Sequence, residues 1–204
     1  MATLVDGLEL EPLVIRTRPY VEVTDEAFFE FCQANRDWRI ERAANGDILI
    51  MAPTGGGSSY RNADLTSQLR AWAKRDGRGV VFDSSAGFQL PNRATLSPDA
   101  SWVRRERLSS LRREEKEKFL PLCPDFVAEI LSPSDRLPAL QKKMQEYIDN
   151  GAQLGWLLDP QGRRVHVYRP GAVVEQLEGA ESVPGDPALP GFVLDLREIW
   201  EPGF

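Results

Sequence analysis

The chain has 204 residues, of which 42% are hydrophobic and 27% charged, so it can bury a real core and does not have the composition of a disordered segment. Its formal net charge of −6 argues against a general basic surface that coats itself in nucleic acid, while leaving local basic patches open. Cys32 and Cys123 fit no metal-finger spacing, which argues against structural zinc and reads as two reduced thiols.

No linker composition divides the chain, so residues 1–204 are read as one domain, with 1–20 as an N-terminal extension and 171–204 as a C-terminal segment that docks on it. The opening "MATLVDGLELEPLVIRTRPY" carries acidic residues where a secretory signal needs a basic start and a long apolar run. No stretch approaches transmembrane length. The expectation is a cytoplasmic protein with no membrane partner.

In chain order, "TDEAFFEFCQAN" predicts a short helix with Phe28, Phe31 and Cys32 on its apolar face. "WRIERAANGDILIMAP" has two alternating runs around Asn45-Gly46, a hairpin signal. "TGGGSSYRNADLTSQLRAWAKRDGRG" leads from a glycine turn into a helix burying Leu65, Leu69, Trp72 and Ala73 and ending at Gly77. Strands at "GVVFD", "AGFQLP" and "DASWV" read as a meander. The basic stretch "RRERLSSLRREEKEK" has enough glutamates to be a solvated helix laced with ion pairs, the alternative being a phosphate-contacting segment.

"PLCPDFVAEILSPSD" then reads as a strand buried on both faces. Ser134 and Asp135 are candidate caps of the helix "LPALQKKMQEYIDNG", with Pro138 in its first turn and Gly151 past its end. A helix between this strand and "LGWLLDP" has the pattern of a crossover, so those two strands should be parallel neighbours. "RVHVYRP" follows across Gln161-Gly162, and Phe192, Leu194, Leu196 and Trp200 of the tail are expected to dock on the domain. The architecture expected is an α/β fold of the α+β kind, a central mixed sheet flanked by helices.

The chemistry centres on Glu129, a charge in an otherwise apolar strand, which costs several kcal/mol unless it is paired, hydrogen-bonded or bound to a cation. It shares a strand face with Val127 and Leu131 and so points at side chains. Asp99, just after Pro98, takes the first position of another strand. At 100° per residue, Lys143 falls at about 300° and Lys142 at about 200° on a helix whose apolar face centres near 25°, so Lys143 reaches inward and Lys142 is solvated. An Asp, a Glu some two strands away and a Lys at the core's edge make a set that metal-dependent phosphodiester cleavage uses: hard oxygen ligands for Mg²⁺ and a fixed positive charge beside the phosphate.

"SPDASWV", "CPDFVAEILSPSDRLPALQKKMQEYIDNGAQLGWLLDP" and "RRVHVYRPG" resemble the Uma-two family of restriction-type endonucleases, which is similar in fold to the PD-(D/E)XK nuclease superfamily. The likeness runs from about residue 24 to the C-terminus. It implies a restriction-endonuclease-like fold, Asp99 and Glu129 as metal ligands for Mg²⁺ or Mn²⁺, and Lys143 as the catalytic lysine, moved to the helix from the superfamily's usual place, here Leu131. Glu41 resembles the family's N-terminal glutamate, which joins the metal site or supports it; alternatively Glu41 is an exposed hairpin residue paired with Arg39 or Arg42. Many members carry a histidine near the start of the second helix, where this chain has "GGGSSYRN".

The activity these readings imply is a Mg²⁺-dependent endonuclease hydrolysing DNA with an activated water, working on duplex as a homodimer. The alternatives are a catalytically silent nucleic-acid- or protein-binding module on the same scaffold, and a hydrolase using Asp99 and Glu129 as acid and base on a sugar. The remaining candidates read as structural. Gly55-Gly56-Gly57 lacks a P-loop's lysine and is a flexible turn or a loop that brushes the ligand. His166 is a strand histidine, Ser132 and Ser134 are capping residues, and Asp125, Asp135 and Asp159 are turn and cap formers.

Overall fold

The computed structural model describes residues 12–51 and 53–204, so the first eleven positions of the expected N-terminal extension lie outside the described residues. The first half runs β1 (Leu13–Ile15), α1 (Asp25–Ala34), β2 (Arg39–Arg42), β3 (Ile48–Met51), α2 (Gly56–Asp76), β4 (Gly79–Asp83), β5 (Phe88–Gln89), β6 (Thr95–Leu96) and β7 (Ala100–Arg104). The second runs α3 (Arg105–Ser109), α4 (Arg113–Lys116), β8 (Phe126–Ile130), α5 (Leu137–Asp149), β9 (Leu154–Asp159), β10 (Arg164–Tyr168), β11 (Glu175–Glu178), β12 (Ser182–Pro184), β13 (Val193–Asp195) and α6 (Arg197–Trp200).

A six-stranded sheet of order β11-β10-β9-β8-β7-β4 forms the centre, and a five-stranded sheet of order β1-β3-β2-β6-β5 stands beside it. The central sheet is mixed: β8 and β9 are parallel, with Glu129 opposite Leu157, because α5 fills the crossover between them, while β7 runs antiparallel to β8. Phe126, Ala128 and Ile130 face one way, into a core with Leu65, Leu69 and Trp72 of α2 and Phe192, Leu194, Leu196 and Trp200 of the tail. Val127 faces the other way, into a core with Met144, Tyr147 and Ile148 of α5. Alternation along one strand thus feeds two layers, each large buried side chain adding about 1.5–3 kcal/mol.

Local chemistry accounts for several element ends. Thr24 caps α1 by accepting from the Ala27 N–H at 3.2 Å. Gly77 closes α2 at φ 75°, a left-handed conformation that favours glycine. Gly79 leaves room for the Trp102 indole, since a Cβ there would lie 2.1 Å from Trp102 Cε2. Buried Arg42 ties α1 to the five-stranded sheet, donating to Asp25, to Val23 O at 3.1 Å and to Thr95 Oγ1 at 3.2 Å.

Three details differ from the sequence reading. The strands from "GVVFD" to "DASWV" are not a meander: β4 pairs directly with β7, and β5 and β6 leave for the other sheet. Two-residue strands offer too few ladder bonds to hold a place in the centre, and Phe88 is drawn instead to Leu120, with which it forms a bridge. The helix α5 begins at Leu137 with Arg136 at its cap position, one residue past Asp135, while Asp135 closes the preceding turn by accepting from the Ser132 N–H at 2.9 Å. On α1, Phe28 is buried but Phe31 is exposed.

Candidate active site

Continuing the β7–β8 register from Ala100 opposite Ala128 sets Asp99 opposite Glu129, on adjacent strands rather than two apart. Asp99 immediately precedes β7, at the end of the sheet where α2 reaches it through Asn62, while Glu129 faces α5. Asp99 is fixed from three directions: its Oδ2 accepts from the Ile130 N–H at 2.9 Å, and its Oδ1 accepts from Arg39 Nη1 and Asn62 Nδ2, each at 3.2 Å.

Glu129 is 3% exposed. Its Oε1 lies 2.8 Å from Lys143 Nζ and accepts from the Tyr147 hydroxyl at 3.3 Å. The same Lys143 Nζ donates to Glu41 Oε1 at 2.8 Å. Lys143 and Tyr147 are one turn apart on α5, which brings both to the same patch of the sheet. Lys142, by contrast, is exposed.

Glu41 is buried, so the exposed-hairpin alternative fails. It accepts from the Ser97 N–H at 2.9 Å, and Arg39 Nη2 lies 3.8 Å away. Arg42 is engaged elsewhere, with Asp25. Ser97 sits where the chain passes from β6 in one sheet to β7 in the other; its carbonyl accepts from Arg39 Nη2 and, at 3.4 Å, from Lys143 Nζ. Glu41, Asp99, Glu129 and Lys143, read from four separate segments, therefore meet at the junction of the two sheets.

The charges are unevenly compensated. Burial pushes Glu129 up to about 7 against the pull of Lys143, and the neighbouring carboxylates of Asp99 and Glu41 add to the rise. Burial acts on Glu41 too, but Lys143, Arg39 and the Ser97 N–H hold it below the usual carboxylate range. Burial would lower Lys143; Glu129 and Glu41 outweigh it and keep the ammonium charged. Burial, reinforced by Glu129 and Glu41, raises the Tyr147 phenol well above its ordinary value, so it remains a neutral donor.

Among the described residues no three His, Cys, Asp or Glu side chains converge as a cage for a metal ion. A magnesium-like ion keeps several waters and needs one or two carboxylates from the protein, and two facing carboxylates are what the ends of β7 and β8 provide. Arg39, Asn62 and Tyr147 were missed from the sequence. Each had a signal: Arg39 shares a strand face with Glu41, Asn62 lies on the Leu65 and Leu69 face of α2, and Tyr147 puts a hydroxyl into the apolar face of α5.

The residues expected to be structural are not uniformly paired: Nε2 of His166 is buried without a hydrogen-bond partner among the described residues. Asp159 accepts from the Gly162 N–H at 2.9 Å and from Arg164 at 2.7 Å, and His166 is a buried residue of β10. Trp72, Trp102, Trp156 and Trp200 belong to the core on the far face of the central sheet, away from Glu129, so four of the five tryptophans are not available to line a sugar site there. Among the described residues no helix is long and apolar enough to cross a membrane.

Comparison with known proteins identifies the family and the fold. The family described as "Uma2: Putative restriction endonuclease" matches residues 25–197, a span that includes Glu41, Asp99, Glu129 and Lys143. Among solved structures, that of "a putative nuclease belonging to DUF820 from Anabaena variabilis ATCC 29413" has a TM-score of 0.68 at 24% identity, covering 79% of this chain and 89% of that one, and so shares its fold. No curated protein matches the chain. With the family match running from α1 into α6, the chain belongs to the Uma2 family.

Proposed function

We propose that this protein is a metal-dependent endonuclease that hydrolyses DNA phosphodiester bonds. The observation that carries the proposal is the convergence of Asp99 and Glu129 on adjacent strand ends with Lys143 Nζ 2.8 Å from Glu129. The family's description and the nuclease-named structural neighbour support the same reaction class.

Asp99 and Glu129 would hold Mg²⁺, or Mn²⁺ in its place, and the ion when bound would supply Lewis acidity and a water of lowered pKa. The chain's own residues do the rest. The Ile130 N–H, Asn62 and Arg39 fix the Asp99 carboxylate, and Tyr147 fixes Oε1 of Glu129. Lys143 stays protonated and so acts as a fixed positive charge beside the phosphate rather than as a base. Glu41 holds the Lys143 ammonium in place. Cutting both strands of a duplex calls for two such sites, so a homodimer is expected on DNA.

The silent-module reading has one observation in its favour: Arg39 and Lys143 already offset the buried carboxylates without any ion. Cleavage assays separate the two readings. Plasmid and single-stranded DNA are incubated with Mg²⁺ or Mn²⁺ and wild type, Asp99→Ala or Lys143→Met. Metal-dependent nicking by the wild type that both variants lose supports the nuclease; a folded wild type with no cleavage on either substrate favours the silent module.

A further inference from the structure

Three consecutive glycines open α2, and nothing among the described residues demands them. Gly55 has φ −71° and ψ 167°, an extended conformation any residue adopts. Among the described residues, a Cβ at Gly55 or Gly56 would meet nothing within 4 Å, and one at Gly57 would meet only Arg61 Nη1, at 3.1 Å. Glycine weakens a helix interior relative to alanine. Where neither backbone nor packing calls for it, one use of glycine is to let another molecule approach the backbone closely.

The surroundings select an anion. Gly55 gives α2 no side-chain cap, so among the described residues the first-turn N–H groups have no side-chain cap at the positive end of a 21-residue helix. Ser58, in that turn, is 8% exposed, and its hydroxyl makes no hydrogen bond among the described residues. Its Cα–Cβ bond tilts toward the helix N-terminus, as in any α-helix. The Arg61 guanidinium lies over Gly57 and donates through Nε to Ile199 O at 2.6 Å, with no carboxylate paired to it among the described residues.

The same face leads to the carboxylates. Asn62, one turn after Ser58 or about 6 Å along the axis, donates to Asp99 Oδ1 at 3.2 Å, while its own Oδ1 is buried and unpartnered. We propose that the first turn of α2, with Ser58 and Arg61, is a cradle for a backbone phosphate of the nucleic acid, neighbouring the phosphate that Asp99 and Glu129 address. The identity of the phosphate's carrier rests on the nuclease reading; the cradle itself rests on the glycines, Ser58 and Arg61.

Gly56→Glu tests it, because a carboxylate in a first turn suits the helix dipole and replaces a glycine, so the variant should fold at least as stably while repelling a phosphate. Arg61→Gln is the second variant, and thermal melts check both. Inorganic phosphate, followed by amide NMR, should shift Gly56, Gly57 and Ser58 saturably in the wild type and not in Gly56→Glu. Labelled DNA, followed by anisotropy without divalent metal, should bind at least tenfold more weakly to Gly56→Glu and severalfold more weakly to Arg61→Gln. Unmoved wild-type amides, or wild-type DNA affinity in a folded Gly56→Glu, would overturn the cradle even if metal-dependent cleavage is observed. Saturable phosphate shifts in a protein that neither binds nor cuts DNA would uphold an anion cradle and overturn its assignment to nucleic acid.

Discussion

The strand β8 has a buried carboxylate at each end, and the two are treated differently. Asp125, just before the strand, accepts from the Arg104 backbone N–H at 2.9 Å and pairs with Arg107 at 3.1 Å. Both arginines keep part of their side chains in water. Glu129, at the other end, is met by a buried lysine shared with Glu41 and by one phenol, and burial leaves its carboxyl at about 7. One end is a satisfied joint between strand and helix. The other holds a carboxylate whose ionised form is under-compensated, the condition in which a divalent cation gains most from binding.

Exchanging the two ends should separate activity from stability. Glu129→Ala is expected to lower metal-dependent cleavage by more than about 100-fold, beyond the usual cost of losing a group that only supports a metal ligand. Asp125→Asn is expected to lower unfolding stability by about 1–3 kcal/mol through weakened bonding to the Arg104 N–H, with the folded fraction cutting at the wild-type rate. Urea unfolding and cleavage on the same samples check both, and equal losses of activity would erase the contrast.

Lys143→Met leaves Glu41 and Glu129 without their shared cation, so a loss of about 3–5 kcal/mol is expected at neutral pH. Lys143→Arg should not restore cleavage, because a planar fork does not replace a point charge lodged between two carboxylates. Denaturant melts and DNA nicking read the two effects separately.

The titration of Glu129 gives a signed prediction. Its folded-state pKa of about 7 lies above the ordinary 4.5, so between those values the folded chain holds a proton that the unfolded chain has lost. Stability contributed by this group should therefore fall as pH rises from 4.5 to 7, by at most about 3 kcal/mol. Glu41 acts in a different window: its carboxyl is held below 4.5, so its contribution is lost as pH falls below that value. Melting temperature against pH should slope downward through the upper window in the wild type and flatten in Glu129→Gln. An equal slope in both proteins would assign it to another group.

Smaller effects sharpen the boundary of the site. Tyr147→Phe removes the hydroxyl that donates to Glu129 at 3.3 Å, for an expected 0.5–1.5 kcal/mol or so and a Glu129 carboxyl that ionises at still higher pH. Lys142→Ala, on the solvated side of the same helix, should change stability by less than about 0.5 kcal/mol and leave cleavage untouched.

What could be read from the sequence follows from how local each determinant is. The choice of Lys143 over Lys142 needed only the period of one helix, and the parallel pairing of β8 with β9 needed only the helix between them. Asp99, Glu129 and Glu41 were legible because charges at strand positions are costly without partners, and the family resemblance named them. The Glu41–Lys143 contact joins β2 of the five-stranded sheet to helix α5 on the central sheet, which no local pattern reveals. The departure of β5 and β6 depends on Leu120, far along the chain. Arg39, Asn62 and Tyr147 carried polar groups on faces otherwise turned to the core, a signal that appears once burial is taken as a demand for a partner.

The most direct test is calorimetric titration of Mg²⁺ and Mn²⁺ into the wild type and Glu129→Gln, with folding checked on the same samples. Saturable binding by the wild type that is lost in the variant is expected, since the carboxylate pair at the ends of β7 and β8 is then the ion's seat. A folded wild type that binds neither ion would contradict it and make Glu129 a structural residue satisfied by Lys143 and Tyr147 alone.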